Sequence, residues 1–383
     1  MKKKLKVGGA LQISYNCYPG WAAMVPLQHL MNLHKKTTAD KALDPRVALQ
    51  NAFGFVNALA NANAGFFKAN PGVKEQLDGL GQQDATYLVH ELFHDKWPVT
   101  PFSDVADKLG EAKMSFVGSA NLLEHIDVLA MSPQHIQIVN SIADLTLRES
   151  VRDFCMNRRF RSDIFTKGAQ AVTREERDEE LRKMKFVLVR HPETLNYEKI
   201  EIAPGQTLNL KKKFMDPVVK ALSENNFAPK TVAEIEKHDS AKGLDFEQLA
   251  DVLITLTGCF VIAPAQEGSV VSSSEETCKA LNSEFTIQIK RNNVTNAIAS
   301  PLIGGGFGIT STQLLFLSAA LNGKKSKKDT IAHSWALMQK IGWRALENGE
   351  QIKDEKVNIE RLEEEYKFFS EKRMPLLKAH HII

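Results

Sequence analysis

His90-Glu-Leu-Phe-His94 is the most formal chemical motif in the chain. On a helix, a spacing of four puts both imidazoles on one face, with Glu91 available as the base toward a zinc-bound water. A zinc site needs a third ligand, and the candidates are Glu111 and Glu124, neither in a supporting motif. Asp95-Lys96-Trp97-Pro98 follows and ends the helix, where a zinc-protease helix would run on into an apolar core. A zinc hydrolase built on His90, Glu91 and His94 therefore ranks low, and no metal is assigned. Gly304-Gly-Gly-Phe-Gly308 looks like a phosphate cradle but lacks the Lys-Ser/Thr ending of a P-loop and the spacing of a dinucleotide fingerprint. It reads as a flexible loop leading into a helix over 312–321. Arg148, Arg152, Arg158, Arg159 and Arg161 form the densest positive cluster, suited to forked bonds with a carboxylate. Glu149, Asp153 and Asp163 interleave with them, so a solvated, self-paired surface is the simpler expectation. Arg158 and Arg159 are kept as candidate substrate contacts.

The elements that must position these residues are legible in outline. Ala10–Tyr15 alternates like a strand after a Gly8-Gly9 turn, and Asn16–Gly20 follows as a tight loop. Helical spacing covers 21–36 and 46–69. Ala48, Ala52, Ala58, Ala60, Ala62 and Ala64 in the second stretch permit close helix approach, as on a core face or in a homodimer. Helices are expected over 85–94, 102–112, 121–130 and 132–158, with strands at 113–117 and 159–166. Thr173-Arg-Glu-Glu176 is a capping box opening a charged connector helix, with pairs Asp178–Arg182 and Glu179–Lys183 one turn apart. Strands at 186–189 and 197–202 precede helices at 214–225, 231–238 and 246–257 and a strand at 260–263. That order reads as a winged-helix module. Its third helix carries Asp245, Glu247 and Asp251 and no Lys or Arg, so it would repel phosphate and contact protein instead of DNA. Val270–Ser274 reads as a loop, and 358–372 as a charged helix.

With 49 Lys plus Arg against 46 Asp plus Glu, the net charge of +3 points to neither nucleic acid nor an anionic membrane. The 4 cysteines are scattered without a CxxC pair, as in a reducing compartment. Lys2–Lys4 are followed by Gly8-Gly9 and polar alternation, so neither a signal peptide nor membrane insertion is expected, and the chain reads as cytoplasmic.

Three stretches carry a resemblance. Leu5–Trp21, with its Ser14-Tyr-Asn and Pro19-Gly-Trp21 segments, is similar to the fifth strand and following loop of a class I S-adenosylmethionine-dependent methyltransferase. Trp97–Asn121 and Leu147–Arg161 resemble the methyltransferase regulatory domain that follows the catalytic domain in one bacterial group. That group includes rickettsial protein-lysine methyltransferases acting on outer-membrane surface antigens. The resemblance implies an α/β remnant of a Rossmann-like sheet plus a mainly α multidomain remainder with the winged-helix-like module. It divides the chain into a core remnant (1–84), a regulatory domain (85–168), a charged linker and hairpin (169–200) and a helical C-terminal domain (201–383). It further implies that Tyr15, Asn16 and Trp21 line the catalytic cleft, with Tyr18, Pro19 and Gly20 on the substrate side. Tyr and Asn oxygens would orient an amine, and an aromatic wall would hold the alkylammonium.

In that family the cofactor is held by a glycine-rich turn after the first strand and an acidic residue ending the second. Neither is found here, so S-adenosylmethionine is expected to be bound by the intact family and not by this chain alone. A separately encoded N-terminal methyltransferase half and an outer-membrane protein substrate are the implied partners. The alternative is a non-catalytic protein-interaction module. The inner strand Ala10–Tyr15 would lack its neighbours, so 1–45 are expected to pack poorly without a complementary chain, and the rest to fold without them.

Overall fold

The computed structural model describes all residues except 1–3, 39–42, 94–95, 204–205, 292–293 and 348–349. The chain divides into two compact units, Met1–Ala171 and Val172–Ile383. Among the described residues no helix is long and apolar enough to cross a membrane.

In the first unit, β1 (Ala10–Asn16) leads through a loop into α1 (Val25–Thr37), α2 (Pro45–Asn61), α3 (Gly65–Ala69), α4 (Gly72–Gly81) and α5 (Ala85–Leu92). Then come α6 (Phe102–Gly110), β2 (Met114–Ser119), α7 (Asp127–Ala130), α8 (Pro133–Asn140), α9 (Leu145–Met156) and β3 (Phe160–Lys167). The sheet order is β1-β3-β2, with both ladders antiparallel. Alternation in β1 sends Leu11, Ile13 and Tyr15 onto a core of Phe102, Val105, Met114 and Phe165, and leaves Gln12 and Ser14 exposed. Each fully buried Phe of this kind stabilises the sheet by about 1.5–3 kcal/mol. A second core gathers Trp21, Met24, Leu27, Met31, Leu49, Ala52 and Leu92 from the helices. Ala48 and Ala52 of α2 are buried in the unit, while Ala58 and Ala62 face outward.

Among the described residues of 1–45 the poor packing expected is not found. β1 pairs with β3 over seven residue pairs from Ala10↔Thr166 to Asn16↔Phe160, because the apolar face of β1 completes the core beneath α6. β1 thereby supplies part of the core that it shares with α6, β2 and β3. On its other edge, β1 meets only the bridge Asn16↔Val99 among the described residues. The helix expected over 132–158 is split. Ser141 ends α8, and Asp144 starts α9 by accepting the Leu147 N–H at 2.7 Å.

The second unit opens with α10 (Arg174–Lys183), whose Thr173/Glu176 capping box forms as expected. The two foreseen ion pairs along α10 are replaced: Arg182 forks onto Glu236 at 2.9 and 3.0 Å, and Lys183 pairs with Glu180. Next come β4 (Lys185–Leu188), β5 (Ile200–Ala203), β6 (Gln206–Leu208), α11 (Lys212–Ser223), β7 (Lys230–Thr231), α12 (Val232–Lys237), α13 (Phe246–Gly258) and β8 (Ile262–Pro264). Helices and strand lie close to where the winged-helix pattern put them, in an antiparallel sheet of order β7-β4-β8 whose middle strand precedes all three helices. Only the second half of 197–202 is strand; Tyr197–Lys199 form a short 3-10 turn.

Val270–Ser274 is helix, not loop. It lies in α14 (Gly268–Gln288), where the Ser274 hydroxyl bonds back to the Val270 carbonyl at 2.7 Å and Val271 is buried. The glycine run is a strand as well: β9 (Ala297–Ser300) and β10 (Gly305–Gly308) form a hairpin anchored by buried Phe307. A Cβ at Gly306 would come within 3.1 Å of Ala297 Cβ, which favours a glycine in that ladder.

Candidate functional site

The loop at the carboxyl end of β1 is fixed by the turn that follows α9. Asn157 takes the left-handed conformation (φ 46°) and ends that helix, turning Arg158 and Arg159 back toward β1. The Cys17 N–H then donates to the Arg159 carbonyl at 2.8 Å, and the Gly20 N–H to the Arg158 carbonyl at 2.9 Å. Backbone approach is so close that a Cβ on Gly20 would sit 2.4 Å from the Asn157 oxygen. A glycine is required there. The Tyr18–Pro19 peptide bond between them is cis.

Beside this loop, Asn16 Nδ2 donates to Glu91 Oε1 at 2.7 Å, and Trp97 Nε1 donates to the same oxygen at 3.2 Å. Trp97 meets Trp21 edge-on, with ring centroids 5.1 Å apart, and the Arg159 guanidinium lies 5.8 Å over the Trp21 ring. Gln28 and Asn32 of α1 both donate to the Leu92 carbonyl at 2.8 Å, pinning the end of α5 that carries Glu91. Trp21, Gln76, Tyr87, Asn157 and Arg159 line an open groove of about 870 Å³.

Tyr15 and Asn16, adjacent in sequence, point to opposite faces of β1. The Tyr15 hydroxyl donates to Asp163 Oδ2 at 2.7 Å, and burial together with that carboxylate pushes its pKa far above the usual phenol range. Tyr15 is therefore a protonated member of the core-side network. Asn16 is half-buried in the Glu91–Trp97 cluster, and among the described residues its amide oxygen accepts no hydrogen bond. Tyr18 is exposed, Pro19 half-buried, and Gly20 and Trp21 buried. Burial pushes the Cys17 thiol up to about 12, so it is no nucleophile at neutral pH.

Glu91 is committed to Asn16 and Trp97, not poised as a metal-site base; His90 is exposed, and His94 lies outside the described residues. Among the described residues no group of three or more His, Cys, Asp or Glu is arranged to hold a metal ion.

The arginine cluster divides. Arg159 is exposed beside Trp21, whereas Arg158 is buried on Glu124 (3.2 Å) and Asp153 (3.4 Å). Arg161 is wholly buried, donating to Asp163 at 2.8 Å, Asp153 at 2.6 Å and Glu149 at 3.0 Å, and stacking 4.3 Å over Phe102. Self-pairing was expected, but on a solvated surface. The pairs instead form a buried network, because β3 lays Arg161 and Asp163 under α9. Burial pulls the Arg161 pKa down, but its carboxylates outweigh that and hold it above the usual value. Burial also pushes Asp153 up to about 6 against the pull of Arg161 and Arg158, which leaves it ionised at neutral pH.

Glu91 and Trp97 are the members of the loop cluster that sequence reasoning did not connect to Asn16. Both stood in singled-out stretches, but the contact spans 75 residues and needed the fold to reveal it.

The family described as predicted methyltransferase regulatory domain matches residues 84–167. The uncharacterized protein sll1526 of Synechocystis is 32% identical over 377 residues, covering 98% of this chain and 72% of that one. The uncharacterized protein RP789 of Rickettsia prowazekii is 20% identical over 194 residues, 50% of this chain and 34% of its own length. The structure of PKMT2 from Rickettsia typhi in complex with AdoHcy superposes with a TM-score of 0.60 at 17% identity, covering 99% of this chain and 75% of that one. Without AdoHcy, the same rickettsial protein superposes with a TM-score of 0.58.

Proposed function

Since the chain belongs to the family of the Synechocystis protein sll1526 and carries the methyltransferase regulatory domain, we propose that it supplies the substrate-side and regulatory part of an S-adenosylmethionine-dependent protein-lysine methyltransferase. The observation that carries this reading is the superposition of 99% of the chain on PKMT2 bound to AdoHcy. About a quarter of PKMT2 has no counterpart here, since 75% of it is matched. All strand ladders among the described residues are antiparallel. A cofactor cradle of the class I kind needs a parallel strand, a glycine turn and a helix, so in this reading the cofactor is held by residues outside these 383.

The chemistry assigned to the chain's own residues is amine positioning. A target lysine must present a lone pair in line with the methyl group. Asn16 Oδ1 and the second oxygen of Glu91 are two acceptors on one cluster, and the Trp97 and Trp21 rings beside them suit an alkylammonium. Trp21 is too deeply buried to be more than a wall of that site.

The reading is tested by adding the separately produced cofactor-binding half and following methyl transfer to a lysine-containing protein. Wild-type chain should restore transfer, and Asn16→Ala and Glu91→Gln should lower kcat by roughly tenfold or more, the scale of a lost positioning contact. Full activity in both variants would remove these residues from the site.

A second reading, a non-catalytic interaction module, draws on exposed apolar side chains of α9, Phe154 at 71% and Leu147 at 55%. Capture of a partner unrelated to any methyltransferase, with no restored transfer, would favour it.

A further inference from the structure

Within the regulatory domain, the end of β2, the turn Leu122–His125, the start of α7 and one face of α9 enclose a cleft of about 220 Å³. Its charged wall alternates in sign: Arg148, Arg152 and Arg158 stand among Glu124, Asp127 and Glu149. Two of the arginines are committed. Arg152 pairs with Asp127 and, at 3.4 Å, with Glu149; Arg158 pairs with Glu124 at 3.2 Å and Asp153 at 3.4 Å. The buried Nε atoms of both lack an aligned hydrogen bond, so this pairing is incomplete. The Arg148 side chain, one turn before Arg152 and half-buried, makes neither a hydrogen bond nor an ion pair among the described residues.

A simple anion drawn to Arg148 would sit among three carboxylates, and a simple cation would sit among three guanidinium groups. A molecule bearing both charges a few ångströms apart satisfies both walls. We propose that this cleft binds a free α-amino acid, its carboxylate on Arg148 and the adjoining edge of Arg152, and its ammonium toward Asp127 and Glu124. A volume of about 220 Å³ corresponds to roughly seven waters at about 30 Å³ each, the scale of a small amino acid. Phe116 and Val117 supply the apolar floor for its side chain.

Occupancy has a physical route to β1. Glu149, which Arg152 contacts, and Asp153, which Arg158 contacts, also hold Arg161; Arg161 holds Asp163, and Asp163 accepts the Tyr15 hydroxyl. A ligand that draws Arg152 toward itself would redistribute the α9 carboxylates that hold Arg161, and through Arg161 and Asp163 bear on the Tyr15 bond between β3 and β1.

Calorimetric titration of the full chain with each of the twenty common L-amino acids tests the proposal, with acetate, inorganic phosphate and methylammonium as single-charge controls. At least one amino acid should bind tenfold or more tightly than every control, and Arg148→Ala should weaken it by about tenfold or more while melting as the wild type does. An Asp127→Asn variant should weaken the amino acid more than it weakens acetate. Binding of acetate or phosphate as tight as that of every amino acid, absence of any amino-acid binding, or unchanged affinity in Arg148→Ala would each overturn the proposal.

Discussion

Arg161→Met offers a graded test of the buried network between the sheet and α9. Methionine keeps much of the volume and the contact with Phe102, so the perturbation is chiefly the loss of one cation from three carboxylates. Asp153 keeps Arg158 at 3.4 Å and Glu149 keeps Arg152 at 3.4 Å, but Asp163 is left with only the Tyr15 hydroxyl. Breaking a buried pair on one side costs about 3–5 kcal/mol. Urea unfolding at pH 7 should therefore show a loss of about 3–5 kcal/mol. Arg161→Met/Asp163→Asn should recover most of the stability at pH 7, and it keeps the experiment informative if the single variant fails to fold. A loss below about 1 kcal/mol, or no recovery in the double variant, would refute the reasoning.

Gly20→Ala places a Cβ 2.4 Å from the Asn157 oxygen and should cost about 1–3 kcal/mol and displace the loop beside Trp21, seen as lower hydrogen-exchange protection of the Cys17 amide. His380 is buried, with Nε2 on the Leu188 carbonyl at 2.8 Å, and burial lowers its pKa from 6.5 to about 4. The folded state thus resists protonation, so this group's contribution is intact above pH 6.5 and is lost as pH falls toward 4. Its full size is roughly 3 kcal/mol, and His380→Gln should flatten that acid-side loss in urea midpoints measured between pH 7 and 4. Zinc content by mass spectrometry should be substoichiometric and unchanged by His90→Ala, since Glu91 serves Asn16 and Trp97.

Local signals are legible in the sequence. The alternation Leu11, Ile13, Tyr15 and the Thr173/Glu176 box act over a few residues, and each appears as its chemistry requires. The serine-rich stretch after Val270 misled because serine disfavours helix interiors, yet its hydroxyls bond back within α14 once Val271 is buried. Burial itself was the harder quantity. Interleaved Arg and Asp in 148–163 look alike on a surface and in a core, and only the placement of β3 under α9 decides which. Likewise, the partner of β1 lies about 150 residues downstream, beyond the reach of any local pattern, and the Ala10↔Thr166 register belongs to the fold. The Asn16–Glu91–Trp97 cluster was legible only as parts.

Calorimetric titration of AdoHcy into this chain by itself tests the central claim most directly. No binding should be detected at a ligand concentration of about 100 μM, and micromolar affinity should appear once the cofactor-binding half is added. Micromolar binding by the chain alone would contradict the placement of the cofactor outside these residues.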